Sequence, residues 1–251
     1  HYPIPMRIGI DSGGTFTDFV ILHDDGRLES FKLRSNPAAP ASVILEGIRR
    51  IAAKKADVVH GSTVATNALL ERKGAKTAFV TTAGFEDLIA IGRQNRAELY
   101  NLTPDPAKPL VPRELRFEVN ERMDARGNVV VPLDVAALRE LAGRLRDLEV
   151  ESVAVFFMHS FANPQHELAA VAVLRDELPG VFVTHSTDLT REWYEYERTS
   201  TVAANAYVGP NVSTYIRRLD GDLRRDGVGG SLYMMGSNGG VLSADRTCRQ
   251  P

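Results

Sequence analysis

The sequence predicts an α/β fold, a mixed sheet flanked by helices with a second α/β lobe, and three observations carry that expectation. The opening residues read as three short strands joined by tight polar turns. From Pro40 onward, strand-like runs alternate with segments of helical periodicity, the pattern of parallel crossover units. Residues 152–157 are almost wholly apolar, as in a strand covered on both faces.

Taken in order, residues 6–10 form an apolar strand, 11–17 a polar turn and 18–22 a second strand. Asp24, Asp25 and Gly26 signal another turn before an alternating strand over 28–33. Connections this short make the opening meander antiparallel, because a parallel crossover needs a dozen or more residues. Val43, Ile44, Gly47, Ile48 and Ile51 then share one helical face, with Arg49, Arg50 and Lys54 opposite. A strand over 57–60 leads to a helix over 62–72 that Gly74 terminates, and a strand over 77–81 leads to a helix opened by residues 84–87.

Pro104, Pro106, Pro109 and Pro112 make residues 102–114 a long loop or lid. Residues 115–121 and 129–131 read as a hairpin around 125–128. Asp134 caps a helix over 135–148 that carries Leu138, Leu141 and Leu145 on one face. After the buried strand come a helix over 165–178, a strand over 181–185, a long helical region over 197–225 and a strand over 231–235. The second lobe is expected to begin near 129–152.

Composition narrows the function. An apolar fraction of 43% and a charged fraction of 25% are ordinary for a globular protein and exclude disordered, collagen-like and disulfide-scaffold classes. Thirty Lys+Arg against 32 Asp+Glu leave a net charge of −2, so no broad basic field points to nucleic acid or an anionic membrane as a partner. No apolar run approaches the ~18 residues of a bilayer span, and the start lacks a signal-peptide pattern. The single cysteine, Cys248, fits a reducing cytoplasmic compartment and reads as incidental rather than nucleophilic. Residues 1–5 read as an added remnant ahead of a natural start at Met6.

The densest chemistry lies in Asp11-Ser12-Gly13-Gly14-Thr15-Phe16-Thr17-Asp18. Two glycines let a backbone turn approach a phosphate, and its N–H groups with the hydroxyls of Thr15 and Thr17 can ring phosphate oxygens. Asp11, at a strand end, can orient Mg²⁺ or its waters, and Asp18 can orient the loop or those waters. This is not a Walker loop, since no Gly-Lys-Ser/Thr follows and a strand succeeds the turn. The plain alternative is an ordinary hairpin turn.

Other candidates are weaker alone. His60, before Gly61-Ser62-Thr63 at a helix start, can donate to a substrate carbonyl or phosphate, or simply pack there. Arg93 carries a fork suited to carboxylate or phosphate, with Arg96 three residues on. Glu195, Glu197 and Arg198 start the long helix, where carboxylates favour the helix dipole and where Glu197 or Arg198 can also meet substrate. His159, His166 and Glu167 invite a metal reading that Pro164 and the intervening loop disfavour. Ser237, Asn238, Gly239 and Gly240 follow a strand and suit close approach to a ligand, or a glycine turn.

Seven stretches together resemble the hydantoinase A/5-oxoprolinase family: residues 8–18, 60–75, 92–100, 121–127, 155–167, 195–208 and 235–240. The first, I-G-I-D-S-G-G-T-F-T-D, is by itself similar to the first phosphate loop of the wider actin-like ATPase superfamily, whose fold is ribonuclease H-like. Departures are small: Ser62 stands where Thr is usual, and Ala97 where Pro is frequent. The resemblance implies ATP and Mg²⁺ as cofactors and a carbonyl oxygen activated by phosphorylation. The implied substrate is a cyclic amide such as a hydantoin, 5-oxoproline or lactam, with an acetone- or acetophenone-type ketone carboxylase as the alternative. It also implies a second subunit of the hydantoinase B type and an oligomer. A nucleotide-binding assembly module without turnover is a reading of another class.

The domain expectation is an N-terminal actin-like domain over 6–185 and the start of a hydantoinase A domain over 186–251. One phosphate loop, where actin-like ATPases close nucleotide between two related halves, leads to the expectation of a longer polypeptide. The isolated 251 residues should then bind ATP weakly and not turn it over.

Overall fold

A computed structural model describes residues 6–36, 39–95, 100–103 and 108–251. Residues 1–5, Arg96, Ala97, Pro104 and Pro106 therefore lie outside the described residues. In chain order the elements are β1 (Met6–Ser12), β2 (Phe16–Leu22), β3 (Leu28–Arg34), α1 (Pro40–Ile51), β4 (Ala56–Ser62), α2 (Val64–Leu70) and β5 (Thr77–Thr82). Then come α3 (Leu88–Ile91), β6 (Arg116–Val119), β7 (Arg122–Met123), β8 (Val129–Val131), α4 (Val135–Asp147), β9 (Ser152–Phe156), α5 (Gln165–Glu177) and β10 (Phe182–His185). The chain closes with α6 (Ser186–Leu189), α7 (Glu195–Arg225), β11 (Leu232–Met235), β12 (Val241–Ser243) and α8 (Ala244–Thr247).

The chain divides into two compact units, His1–Glu71 with Asn211–Pro251, and Arg72–Pro210. Residues 129–152, where the sequence suggests a lobe boundary, fall inside the second unit. The division is made by a chain that leaves the first sheet after α2 and returns to it within α7. Pro210, at the return, offers no N–H to the helical ladder.

The first unit holds a six-stranded sheet ordered β12-β11-β4-β1-β2-β3. The expected antiparallel meander is present, with Asp11 opposite Asp18 and Phe19 opposite Phe31. β4 and β11 add in parallel. Alternation sends Ile8, Ile10, Phe19, Ile21 and Val58 inward, where Ile44 and Ile48 of α1 are also buried.

The second unit holds a four-stranded, wholly parallel sheet ordered β10-β9-β5-β6. Every residue of β5 and β9 is buried, as their apolar runs required. α4 lays Leu138, Leu141 and Leu145 on this core, and Asp134 accepts from Ala137 N at 2.9 Å as the expected cap.

The hairpin expected between 115–121 and 129–131 is different in the structure. Residues 116–119 pair in parallel with β5, burying Phe117 and Val119, and only Arg122–Met123 pairs with Val129–Val131. Burial of two apolar side chains in the sheet outweighs extension of a two-residue hairpin strand. α6, β12 and α8 are too short for periodicity to reveal. Among the described residues, no helix is long and apolar enough to cross a membrane.

Candidate active site

β1, β4 and β11 run parallel, so their carboxyl ends share one edge of the first unit's sheet. Register places Ser12 beside Ser62, and His60 beside Met234. Three loops singled out in the sequence leave from that edge: residues 13–15, Thr63 at the entry to α2, and residues 236–240. Carboxyl ends of parallel strands are where open α/β sheets bind ligands.

The 13–15 turn is closed by Gly13 N donating to Phe16 O at 3.1 Å. A Cβ on Gly13 would sit 3.0 Å from that same oxygen, so glycine is what allows the turn to be this tight. Gly14 has open space around it. Ser35 braces the loop from behind: its hydroxyl donates to Gly13 O at 2.7 Å and its N–H to Thr15 O at 2.9 Å. Since that hydroxyl proton is spent on Gly13, Thr17 must donate its own to Ser35 Oγ at 3.0 Å. Thr17 is 1% exposed, so its hydroxyl supports the turn from inside instead of ringing a phosphate. Gly14 and Thr15 remain the outward part of the loop.

Asp11 and Asp18 face each other across β1 and β2, and both are exposed. Like charges directly opposite repel, and Lys32 Nζ reaches only to 4.0 Å of Asp18 Oδ1. Two opposed carboxylates are a donor set that suits a divalent cation.

His60 lies within β4, is 0% exposed and has both ring nitrogens engaged. Nδ1 faces Ile10 O at 3.3 Å and Nε2 faces Tyr215 Oη at 2.8 Å. Burial lowers its pKa to about 4, so the ring is neutral. The expectation that His60 donates directly to a substrate therefore meets a ring with no free nitrogen. Tyr215, on the returning half of α7, borders a cavity of about 460 Å³. Ser62, Thr66, Met234, Ser237 and Asn238 also line it.

Within the loop after β11, Gly239 (φ +78°) and Gly240 serve the turn: Gly239 N donates to Gly236 O, and Gly236 N to Gly240 O at 2.8 Å. Ser237 and Asn238 are the pair that borders the cavity.

In the second unit, Arg93 and Glu197 come together as an ion pair, 104 residues apart in sequence. The Arg93 guanidinium also lies over the Tyr194 ring at 5.4 Å. Glu195 pairs with Arg198 and accepts from His159 N at 3.2 Å. Arg198 is wholly buried and donates to Ser160, Ser186 and Phe157 O. Its place is structural, under the end of β9.

Glu167 is also wholly buried and accepts from Ser160 Oγ, Ser186 Oγ, Thr187 N, Thr187 Oγ1 and Phe157 N. Burial pushes its carboxyl up, but His185, Ser186, Phe157 N and Ser160 outweigh that and hold its pKa below the ordinary glutamate value. His166 instead bonds Glu121 at 2.7 Å, and Glu121 also accepts from Thr82. His159, His166 and Glu167 thus serve three different networks. Cys248 is buried, with its thiol 3.8 Å from Ser213 O.

Sequence reasoning missed Ser35 and Tyr215. The β2–β3 register, countable from the turn at Gly26, would have set Ser35 opposite Thr15. Tyr215, 155 residues from His60, had no local signal.

Residues 7–178 match the hydantoinase/oxoprolinase N-terminal region, and residues 198–251 match hydantoinase/oxoprolinase. The chain is 37% identical over 248 residues to caprolactamase subunit alpha of Pseudomonas jessenii, covering 94% of this chain and 36% of that one. It is 32% identical over 267 residues to the acetophenone carboxylase gamma subunit of Aromatoleum aromaticum, covering 96% of this chain and 36% of that one. The crystal structure of the ATP-dependent caprolactamase from Pseudomonas jessenii superposes with a TM-score of 0.86 at 36% identity, over 95% of this chain and 36% of that one. The expected α/β fold of the actin-like ATPase type is borne out. The chain spans a little over a third of the length of these two relatives. It belongs to the hydantoinase/oxoprolinase family.

Proposed function

We propose that this chain is the nucleotide-binding part of an ATP-dependent cyclic amide hydrolase of the hydantoinase/oxoprolinase type. The observation that carries the reading is the convergence of the 13–15 turn, the entry to α2 and the 236–240 turn on one sheet edge. Gly14 and Thr15 present backbone N–H groups to phosphate, and the Ser35–Thr17 brace keeps that turn in shape without a ligand. Asp11, with Asp18 opposite, would hold the Mg²⁺ that accompanies the nucleotide. When bound, ATP·Mg²⁺ supplies a phosphoryl group that activates a carbonyl oxygen, with the metal neutralising charge. Arg93, steered by Glu197, is the second unit's candidate for an anionic or carbonyl oxygen.

The caprolactamase alpha and carboxylase gamma subunits support a partner subunit, which we take to be of the hydantoinase B type, in a cytoplasmic oligomer. The acetophenone carboxylase relative favours ketone carboxylation as the second reading. Calorimetry of ATP·Mg²⁺ with the complete protein and its Asp11→Ala variant tests the site. Equal affinity in both would remove Asp11 from it.

A further inference from the structure

The parallel sheet of the second unit is ordered β10-β9-β5-β6. From β5 the chain passes to β6 on one side, and from β9 to β10 on the other, so the segments that follow β5 and β9 part at the carboxyl ends of those strands. A switch point of this kind opens a crevice where α/β sheets take ligands. Residues 157–164, after β9, carry His159 there, and Met158 N ties them to β5 by donating to Thr82 Oγ1 at 3.0 Å. The first turn of α7 reaches both segments: Glu195 meets His159, and Glu197 meets Arg93.

His166 and His185 of this unit bond Glu121 and Thr187. His159 Nδ1, by contrast, is buried without a hydrogen bond among the described residues. Three other buried side-chain atoms lack one, on Thr81, Arg198 and Thr199, but those residues are wholly buried. The His159 side chain is 26% exposed, so it alone of the four reaches solvent. Its Nδ1 faces Glu195 Oε1 at 3.6 Å, on the carboxylate that already accepts from His159 N at 3.2 Å and pairs with the buried Arg198. A fixed carboxylate beside Nδ1 favours the tautomer protonated there, which leaves the lone pair on Nε2. Contacts of this kind often stay long until substrate binds. The His159 backbone is left-handed, with φ +58°. Ala52, Arg72 and Glu149 share that conformation at or just past the ends of α1, α2 and α4. His159 ends no helix, and an unusual backbone without that excuse marks a functional loop.

We propose that His159 is the base that takes a proton from the attacking water, with Glu195 as its positioning residue; this rests on the amide-hydrolase reading above. The water oxygen bonds to the carbonyl carbon of the activated amide, the π pair between that carbon and nitrogen moves onto nitrogen, and the water proton passes to His159 Nε2. Glu195 then stabilises the imidazolium from the Nδ1 side, the part a carboxylate plays beside a catalytic histidine.

Two measurements on the complete protein test this. Nitrogen-15 NMR of histidine-labelled protein reads the His159 tautomer, assigned by the signal lost in His159→Asn; asparagine accepts a positive φ, so that variant keeps the turn. We expect the proton on Nδ1. ATP-dependent opening of 5-oxoproline, hydantoin and δ-valerolactam is then followed in wild type and variants. His159→Asn should lower kcat about 100-fold or more, with KM within about 3-fold of wild type. Added imidazole should restore part of the turnover of His159→Gly, which a merely structural role would not allow. A ring protonated on Nε2, or a His159→Asn kcat within about 3-fold of wild type, would overturn the assignment of the base alone. If wild type opens none of the three amides, the functional reading falls, and the step assigned to His159 falls with it.

Discussion

The two units handle polar groups in opposite ways. In the first, Asp11, Asp18, Gly14 and Thr15 stand exposed at a sheet edge, and the two carboxylates oppose each other. In the second, Glu167, Arg198, Glu195, Ser160 and Ser186 are drawn into one network beneath the strand ends, where nearly every donor has an acceptor. A satisfied buried network rigidifies the fold, and an unsatisfied exposed one is ready for a ligand. Charged residues alone therefore do not mark a site. What separates the two is whether the protein itself already answers them.

The largest expected effect is at the satisfied network. Glu167→Ala strands the hydroxyls of Ser160, Ser186 and Thr187 and two backbone N–H groups, and should cost about 3–5 kcal/mol of stability in denaturant unfolding. A loss below about 1 kcal/mol would break the contrast between the units.

Acid should separate them next. His60 has a folded pKa of about 4 against an ordinary 6.5, so the unfolded chain binds the extra proton first. The stability His60 contributes is complete above pH 6.5 and is lost as pH falls toward 4. The difference corresponds to about 3 kcal/mol, at roughly 1.4 kcal/mol per pH unit. Glu167, held below its ordinary value of 4.5, contributes above that pH and loses its contribution only in stronger acid. Hydrogen exchange from pH 7 to 4 should show the first unit loosening before the second, and His60→Gln should flatten its slope. Simultaneous loosening would argue against separate acid responses.

A smaller effect is expected from Asp11→Ala. Nucleotide affinity in the presence of Mg²⁺ should fall about 10-fold or more, while the thermal midpoint hardly moves, because the residue is exposed. A large drop in midpoint would make Asp11 a structural residue like those of the second unit.

The smallest effect should be the Arg93–Glu197 pair, whose side chains are 54% and 33% exposed. Breaking it with Glu197→Gln should change stability by less than about 1 kcal/mol. A larger loss, measured by the same unfolding, would place the pair with the buried network.

The 13–15 turn is legible in the amino-acid sequence because its chemistry is local. Gly13, Gly14 and Asp11 lie within four residues, and the flanking β-strands fix their geometry. The all-apolar run of β9, the leucine face of α4 and the Asp134 cap are legible for the same reason. Thr17 is the counterexample: its neighbours suggest a phosphate ligand, yet which face a strand residue takes depends on what the next strand brings, here Ser35. His60 looks available because its sequence neighbours, Gly61-Ser62-Thr63, suggest a helix entry, yet the β4 strand runs through it to Ser62 and buries it.

The sequence by itself determined the α/β class, the antiparallel opening, the tight Gly13-Gly14 turn and the family, all of which depend on periodicity or on residues close together in the chain. Tertiary structure alone decided the interrupted first unit, the meeting of Arg93 with Glu197 and the placing of His60 between Ile10 O and Tyr215 Oη. The contacts of His60 join residues 50 and 155 positions apart. Hydrogen bonds have direction and short range, so which group donates is settled only when the fold brings the partners together.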